Sequence, residues 1–243
     1  MMTIRLAMWS GPRNISTAMM RSWENRDDTQ VIDEPFYAYY LAASNAVHPM
    51  TDEILSSQPN NWQDVAQQLT TSACTREIYY QKQMSHHMLD EVDLTWCKAL
   101  QHCFLIRDPR FIINSYVKKM PSVNSENIGI KRQFKLYQQL SELTGQDIPI
   151  IDSKDVLQNP EAILTKLCQR LNIAFDQNML AWPKGKRASD GVWAKHWYEN
   201  VEASSAFAPY SLAEIKLTKA QKQLAEENDV YYQQLFQKRI TPI

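Results

Sequence analysis

The turn "SGPRNIST" (10–17) joins the apolar run "TIRLAMW" (3–9) to a helical pattern, and after Ser10 and Gly11 it carries one cation and two hydroxyls. A helix that starts directly after a buried strand presents unpaired amides and the positive end of its dipole, and both attract phosphate. Arg13 adds a full charge and Ser16 and Thr17 add hydroxyl donors, so local anion binding is the chemistry these residue types suit. An ordinary connection can have the same composition, and the turn alone does not decide. The magnesium-nucleotide form of such a loop needs G-x-x-x-x-G-K-[ST], and no Gly-Lys pair stands here; Asp33 and Asp152, at the ends of apolar runs, are the acids that could imitate a magnesium holder. For proton removal, "QMSHHML" supplies His86 and His87, imidazoles of the kind whose pKa near 6.5 suits a hydroxyl acceptor at neutral pH. Adjacent helical residues point apart, so one of the two is expected to serve. Glu34, in "VIDEPFYAYY", is the carboxylate alternative, unless it pairs with Arg13 or caps the helix after Pro35.

These residues need a scaffold, and short apolar or β-branched runs supply one at 3–9, 30–33, 77–82, 101–107 and 148–152. Such runs alternating with helical patterns are the mark of a parallel sheet covered on both faces. The expectation is a three-layer α/β/α fold with about five parallel strands. The first helix opens at Ser16 or Thr17, Asp108 with Pro109 caps one over 109–120, and Asn159 with Pro160 opens another. Apolar periodicity predicts a single long helix over 126–144, closed at Gly145, and a last helix over about 212–238. Residues 44–62 and 183–211 read as long mixed loops, and long loops in compact folds are often lids.

The 243 residues, 44% of them hydrophobic, suffice for one α/β domain over 1–243. A formal net charge of -1 argues against a nucleic-acid or anionic-membrane binder, so any anion site is local. Cys74, Cys97, Cys103 and Cys168 show neither metal-ligand nor disulfide-framework spacing, which points to a reducing compartment. No apolar stretch is long enough to span a bilayer and the first residues meet a polar turn too early for a signal peptide, so a cytoplasmic protein is expected. Glycine occurs only five times, where ordinary usage predicts roughly seventeen. Gly11, Gly185 and Gly191 therefore mark segments of interest.

In their order along the chain, three segments resemble the motifs of the sulfotransferase family that uses 3′-phosphoadenosine 5′-phosphosulfate (PAPS). The family's 5′-phosphosulfate loop follows a strand with Pro, a basic residue, Ser-Gly and Ser/Thr-Thr. After Gly11, the residues Pro12, Arg13, Ser16 and Thr17 fit that pattern, while Asn14 and Ile15 occupy its Ser-Gly. In "FLIRDPRFIINSYVKK", Arg107 ends an apolar strand and Ser115 follows eight residues later, as in the family's 3′-phosphate motif. "WPKGKRASDGVW" resembles its late basic glycine loop, so Lys186 and Arg187 are expected on the nucleotide, with Lys184 and Lys195 as further candidates. Lys82 matches the lysine of the family's Lys-Thr-His segment, Met84 takes the histidine's place, and His86 and His87 follow. Other branches carry a carboxylate after the second strand, where Glu34 stands, so the base stays open among His86, His87 and Glu34. The resemblance implies a P-loop NTPase-like fold and PAPS as co-substrate without a metal. It also implies in-line sulfuryl transfer to a hydroxyl of a small-molecule or carbohydrate acceptor. The competing readings are a kinase or nucleotide hydrolase using Mg-ATP and a catalytically silent nucleotide-binding module.

Overall fold

The structure, a computed structural model, describes residues 3–120, 122–211 and 215–242. Five strands, β1 (Ile4–Ser10), β2 (Thr29–Asp33), β3 (Ile78–Met84), β4 (Gln101–Ile106) and β5 (Ile150–Asp152), form one sheet in the order β2-β3-β1-β4-β5, with every pairing parallel. The period of two along each strand sends alternate side chains to opposite faces. On one face Ala7, Trp9, Tyr79, Phe104 and Ile150 pack under the helices α4 (Trp62–Thr71), α5 (Pro109–Tyr116), α7 (Ile130–Thr144) and α12 (Lys219–Phe236). On the other, Leu6, Met8, Tyr80, Cys103, Leu105 and Ile151 meet α1 (Ser16–Glu24) and α9 (Pro160–Arg170) through Met19, Trp23, Leu164 and Leu167. This is the three-layer α/β/α arrangement that the alternation of strands and helices implies.

Register matters most at the carboxyl ends of the strands. Ser10 lies opposite Met84 and Asp33 opposite Lys82, so the segments leaving β1, β2 and β3 emerge side by side. In open α/β sheets ligands bind in the crevice at these ends.

Helix boundaries differ from the sequence reading where backbone geometry overrides periodicity. The helix expected over 126–144 is two, α6 (Ser125–Ile128) and α7, because Gly129 takes a left-handed φ of 73° between them. The helix over 109–120 ends at Tyr116, and the last begins at Lys219 under a Thr218 capping box; residues 212–214 of the expected span lie outside the described residues. Residues 44–62 contain α3 (Thr51–Ser57), following α2 (Tyr37–Ser44), and residues 183–211 contain α10 (Ala194–Trp197) and α11 (Glu199–Glu202). The two stretches meet in a small cluster of their own, where Ile54, Trp193 and Tyr198 pack with Tyr37 and Leu41 of α2.

The break at Gly129 brings its Cα close to the first loop: a Cβ there would stand 3.5 Å from Pro12 Cδ and 3.6 Å from His86 Cβ, ordinary contacts, so the demand for glycine is conformational. Gly129→Ala is therefore expected to lower stability by about 1–2 kcal/mol, read as a lower urea midpoint with an unchanged m-value. An unchanged midpoint would show that α6 and α7 can run on as one helix.

Candidate functional site

A cavity of about 480 Å³ opens at the carboxyl edge of the sheet, and the segment following each of the five strands contributes to its wall. From β1 come Pro12 to Ala18, from β2 Glu34, from β3 His86 and His87, from β4 Arg107 and Ser115, and from β5 Ser153 and Lys154. Of the residues singled out in the sequence, Pro12, Arg13, Asn14, Ser16, Thr17, Glu34, Lys82, His86, His87, Arg107 and Ser115 all line this one cavity. Gly11 stands behind the wall, where an added Cβ would lie 3.1 Å from the Ile128 carbonyl. Lys186 and Arg187 are not in the lining; Arg187 Nη2 donates to the Pro183 carbonyl at 2.6 Å and its Nε is 3.7 Å from Glu24.

The first loop is held in an unusual backbone shape. Arg13 (φ 56°) and Ile15 (φ 49°) are both left-handed, a conformation rare for a β-branched residue. Ile15 stands at the N-cap of α1 without a side-chain cap, so the first amides of that helix face the cavity side without a capping oxygen. The left-handed geometry at 15 gives a physical reason for a glycine at that place in the resembling loop. Asn14 is anchored inward instead, its Nδ2 donating to the Leu105 carbonyl at 2.5 Å.

Two guanidiniums stand together here. Arg13 Nε donates to Ser115 Oγ at 3.0 Å, and Arg107 Nη1 donates to the Arg13 carbonyl at 2.5 Å. Neither makes an ion pair with a carboxylate among the described residues. Burial lowers both pKa values, and at Arg107 the neighbouring Arg13 charge adds to the effect. Two half-buried cations without counter-ions are a site for an anion.

The next group is ionic and closed. Lys82 Nζ donates to Asp33 Oδ1 at 2.8 Å, Glu34 Oε1 at 2.5 Å and Tyr198 Oη at 2.7 Å, which uses all three ammonium hydrogens. Tyr198 donates in turn to Asp33 Oδ2 at 2.6 Å. Burial works against the Lys82 charge, but the Asp33 and Glu34 carboxylates outweigh it and its pKa lies well above the ordinary value. At Glu34 burial outweighs the pull of Lys82 and raises the pKa. Glu34 also has a left-handed φ of 40°, and its backbone N–H and carbonyl are fixed by the Lys82 carbonyl and Gln58 Nε2. The sequence offers no signal for the Tyr198 link, because the partners are 116 residues apart.

His86 and His87 lie in a 3₁₀ turn, Ser85–His87, with ring centroids 4.4 Å apart, so both reach the cavity wall rather than one. His87 is sandwiched between Tyr37 and Tyr40, each stacked with a centroid separation of 4.8 Å. The Nδ1 atoms of both histidines are buried without a partner. Burial, with His48 adding to it, pushes His86 down to about 3, and burial with His86, His48 and Lys82 depresses His87 well below its usual value.

A family profile described as a sulfotransferase domain matches residues 4–226. Two Arabidopsis thaliana proteins, named branched-chain-amino-acid aminotransferase-like proteins 1 and 2, are each 34% identical over 200 residues, 82% of this chain. The chain spans only 36% and 35% of their lengths. Among solved structures, a sulfotransferase domain from the curacin biosynthetic pathway aligns over 99% of both chains at a TM-score of 0.54 and 16% identity. A mouse sulfotransferase, SULT7A1, complexed with PAP aligns over 97% of this chain and 85% of its own at a TM-score of 0.52 and 11% identity. These structures share the fold.

The depressed histidines make stability pH-dependent. Because the folded pKa of His86 lies near 3 against 6.5 in the ordinary state, its contribution is complete above 6.5 and is lost as pH falls toward 3. Urea unfolding at successive pH values should show a loss of up to about 1.4 kcal/mol per pH unit for such a group below 6.5, and His86→Leu should flatten it. An equal slope in the variant would mean that the imidazole is hydrated in the folded protein.

Proposed function

The chain belongs to the sulfotransferase family, and we propose that it moves a sulfuryl group from PAPS to a hydroxyl of a small-molecule or carbohydrate acceptor within this cavity. The observation that carries this reading is the pair Arg13 and Arg107, half-buried beside Ser115 with no carboxylate of their own. A co-substrate with phosphate at two ends and a sulfuryl group fits such a wall. A magnesium-nucleotide loop would need its Gly-Lys-[ST], which "SGPRNIST" lacks.

Arg13, the uncapped amides of α1, and the Ser16 and Thr17 hydroxyls hold the phosphosulfate end. Arg107 and Ser115 hold the 3′-phosphate. In the transfer a new S–O bond forms to the acceptor oxygen as the bond from sulfur to the bridging oxygen breaks, and Arg13 balances the charge left on that oxygen. Glu34 takes the acceptor's proton: Lys82 occupies its Oε1, which leaves Oε2 for the hydroxyl. Its raised pKa favours it over His86, since a base works best with a pKa near the working pH and His86 is pushed the other way. Lys82, with every hydrogen engaged, is a positioning residue for Glu34 rather than a donor to the nucleotide.

Adenosine 3′,5′-bisphosphate should raise the melting temperature, as a ligand at 100 times its Kd stabilises by about 2.7 kcal/mol; stabilisation by Mg-ATP and not by the bisphosphate would defeat the reading. Glu34→Gln should keep that shift while losing about 10²–10⁴-fold in kcat. In the native enzyme kcat/KM should fall on the acid side at a pH above the ordinary carboxylate value of 4.5, because the base is active only when ionised. Near-native turnover in Glu34→Gln would remove Glu34 as the base.

A further inference from the structure

The late basic segment was expected to bring a further cation to the nucleotide, yet Lys186 and Arg187 do not line the cavity. Among the described residues, segment 183–211 brings only uncharged side chains to the wall, and beyond Tyr198 these include the ring of Tyr210. The Tyr210 ring centroid is 6.0 Å from that of Phe111, the two rings tilted at 45° to each other, and a cation lies near each ring. Arg107 Cζ lies 5.7 Å from the Phe111 centroid, and Lys154 Nζ lies 5.7 Å from the Tyr210 centroid. All four residues line the same cavity. Lys154 makes no ion pair among the described residues. Its backbone is fixed, the N–H donating to Asp152 Oδ1 at 2.7 Å at the end of β5. A solvated surface lysine is common; one held on an aromatic face at the wall of a cavity already rich in unpaired guanidinium is placed to meet an anion.

We infer that Lys154 is a nucleotide-binding residue: together with Arg107, beside the Phe111–Tyr210 pair, it holds the 3′-phosphate of the donor, and so supplies a phosphate contact of the kind expected of Lys186 and Arg187. This rests on the donor reading above, and it changes which residues supply the charge. A flat base and a phosphate match in kind the two rings and two cations at this wall.

The test compares adenosine 3′,5′-bisphosphate with adenosine 5′-monophosphate by calorimetry on the full chain. In the native protein the 3′-phosphate should add affinity. Lys154→Gln should cut the preference for the bisphosphate about tenfold while leaving the monophosphate affinity unchanged. Lys186→Gln/Arg187→Gln should keep the preference. Lys154 is exposed, so its replacement does not disturb the core. If the native protein prefers the bisphosphate and Lys154→Gln prefers it equally, or if the double variant loses the preference instead, the assignment of Lys154 is overturned and the donor reading stands. If the native protein shows no preference at all, the donor reading falls and takes this assignment with it.

Discussion

A lysine ammonium buried at the end of a central strand sets the terms for everything around it. Lys82 is 1% exposed, as is Asp33, and removing such charges from water costs several kcal/mol per ion unless each hydrogen and lone pair is satisfied. Here the satisfaction is complete at the ammonium, and it draws on three partners from two separate parts of the chain. The parallel register puts Asp33 opposite Lys82, the left-handed residue after β2 turns Glu34 back onto it, and Tyr198 arrives from the segment over the cavity. Asp33 in turn accepts from the Gly191 amide at 3.2 Å, and the Trp193 indole donates to Tyr198 Oη at 3.1 Å. Loss of any one of these groups leaves a buried charge or dipole without its partner, so strand register, turn shape and the seating of 183–211 are one requirement.

Backbone strain follows the same geography. Arg13, Ile15 and Glu34 are three of the six left-handed residues other than glycine among those described, and all three line the cavity. Such conformations cost about 1–3 kcal/mol each and persist where the surroundings over-determine them. The surroundings do so here. Arg107 grips the Arg13 carbonyl, Asn14 is tied to β4, and Glu34 is bonded through both backbone groups. The charge along the cavity wall is mixed, with two unpaired guanidiniums and the depressed imidazoles His86 and His87, the latter stacked between two tyrosines.

What the sequence makes legible is what local chemistry controls. Strand alternation predicts the five parallel strands, since apolar runs such as 3–9 and 101–107 have no other use in an α/β chain. The turn at 12–17 and the pair Arg107 and Ser115 are legible because each belongs to a strand end, and strand ends converge in a parallel sheet. Gly129 is not legible in the same way. As a residue type it reads as an ordinary loop or helix-end glycine while the apolar period runs on past it, and the left-handed φ shows that it divides two helices. The late basic run is read by composition, which says nothing about direction: Arg187 turns to Glu24 and the Pro183 carbonyl. The histidines are visible as types, but their depressed pKa values come from burial, which at His87 is burial between two rings that α2 contributes.

The difference between the basic run and the strand-end cations has a physical basis. Arg13, Arg107 and Lys154 follow β1, β4 and β5 by a few residues, so their positions are set by the sheet and by hydrogen bonds at its edge. A cation on an exposed loop beyond about 8 Å acts on a bound anion only through screened solvent at physiological ionic strength. The segment 183–211 is instead joined to the site by buried links that salt does not weaken: Tyr198 to Asp33 and Lys82, and the Arg21–Asp190 ion pair at 2.6 Å, whose side chains are 1% and 6% exposed. The unpaired positive charge of the cavity thus stands at the rigid sheet edge, and the overlying segment contributes hydroxyls and rings to its wall. That division lets the segment line the cavity without bringing charges of its own to the wall.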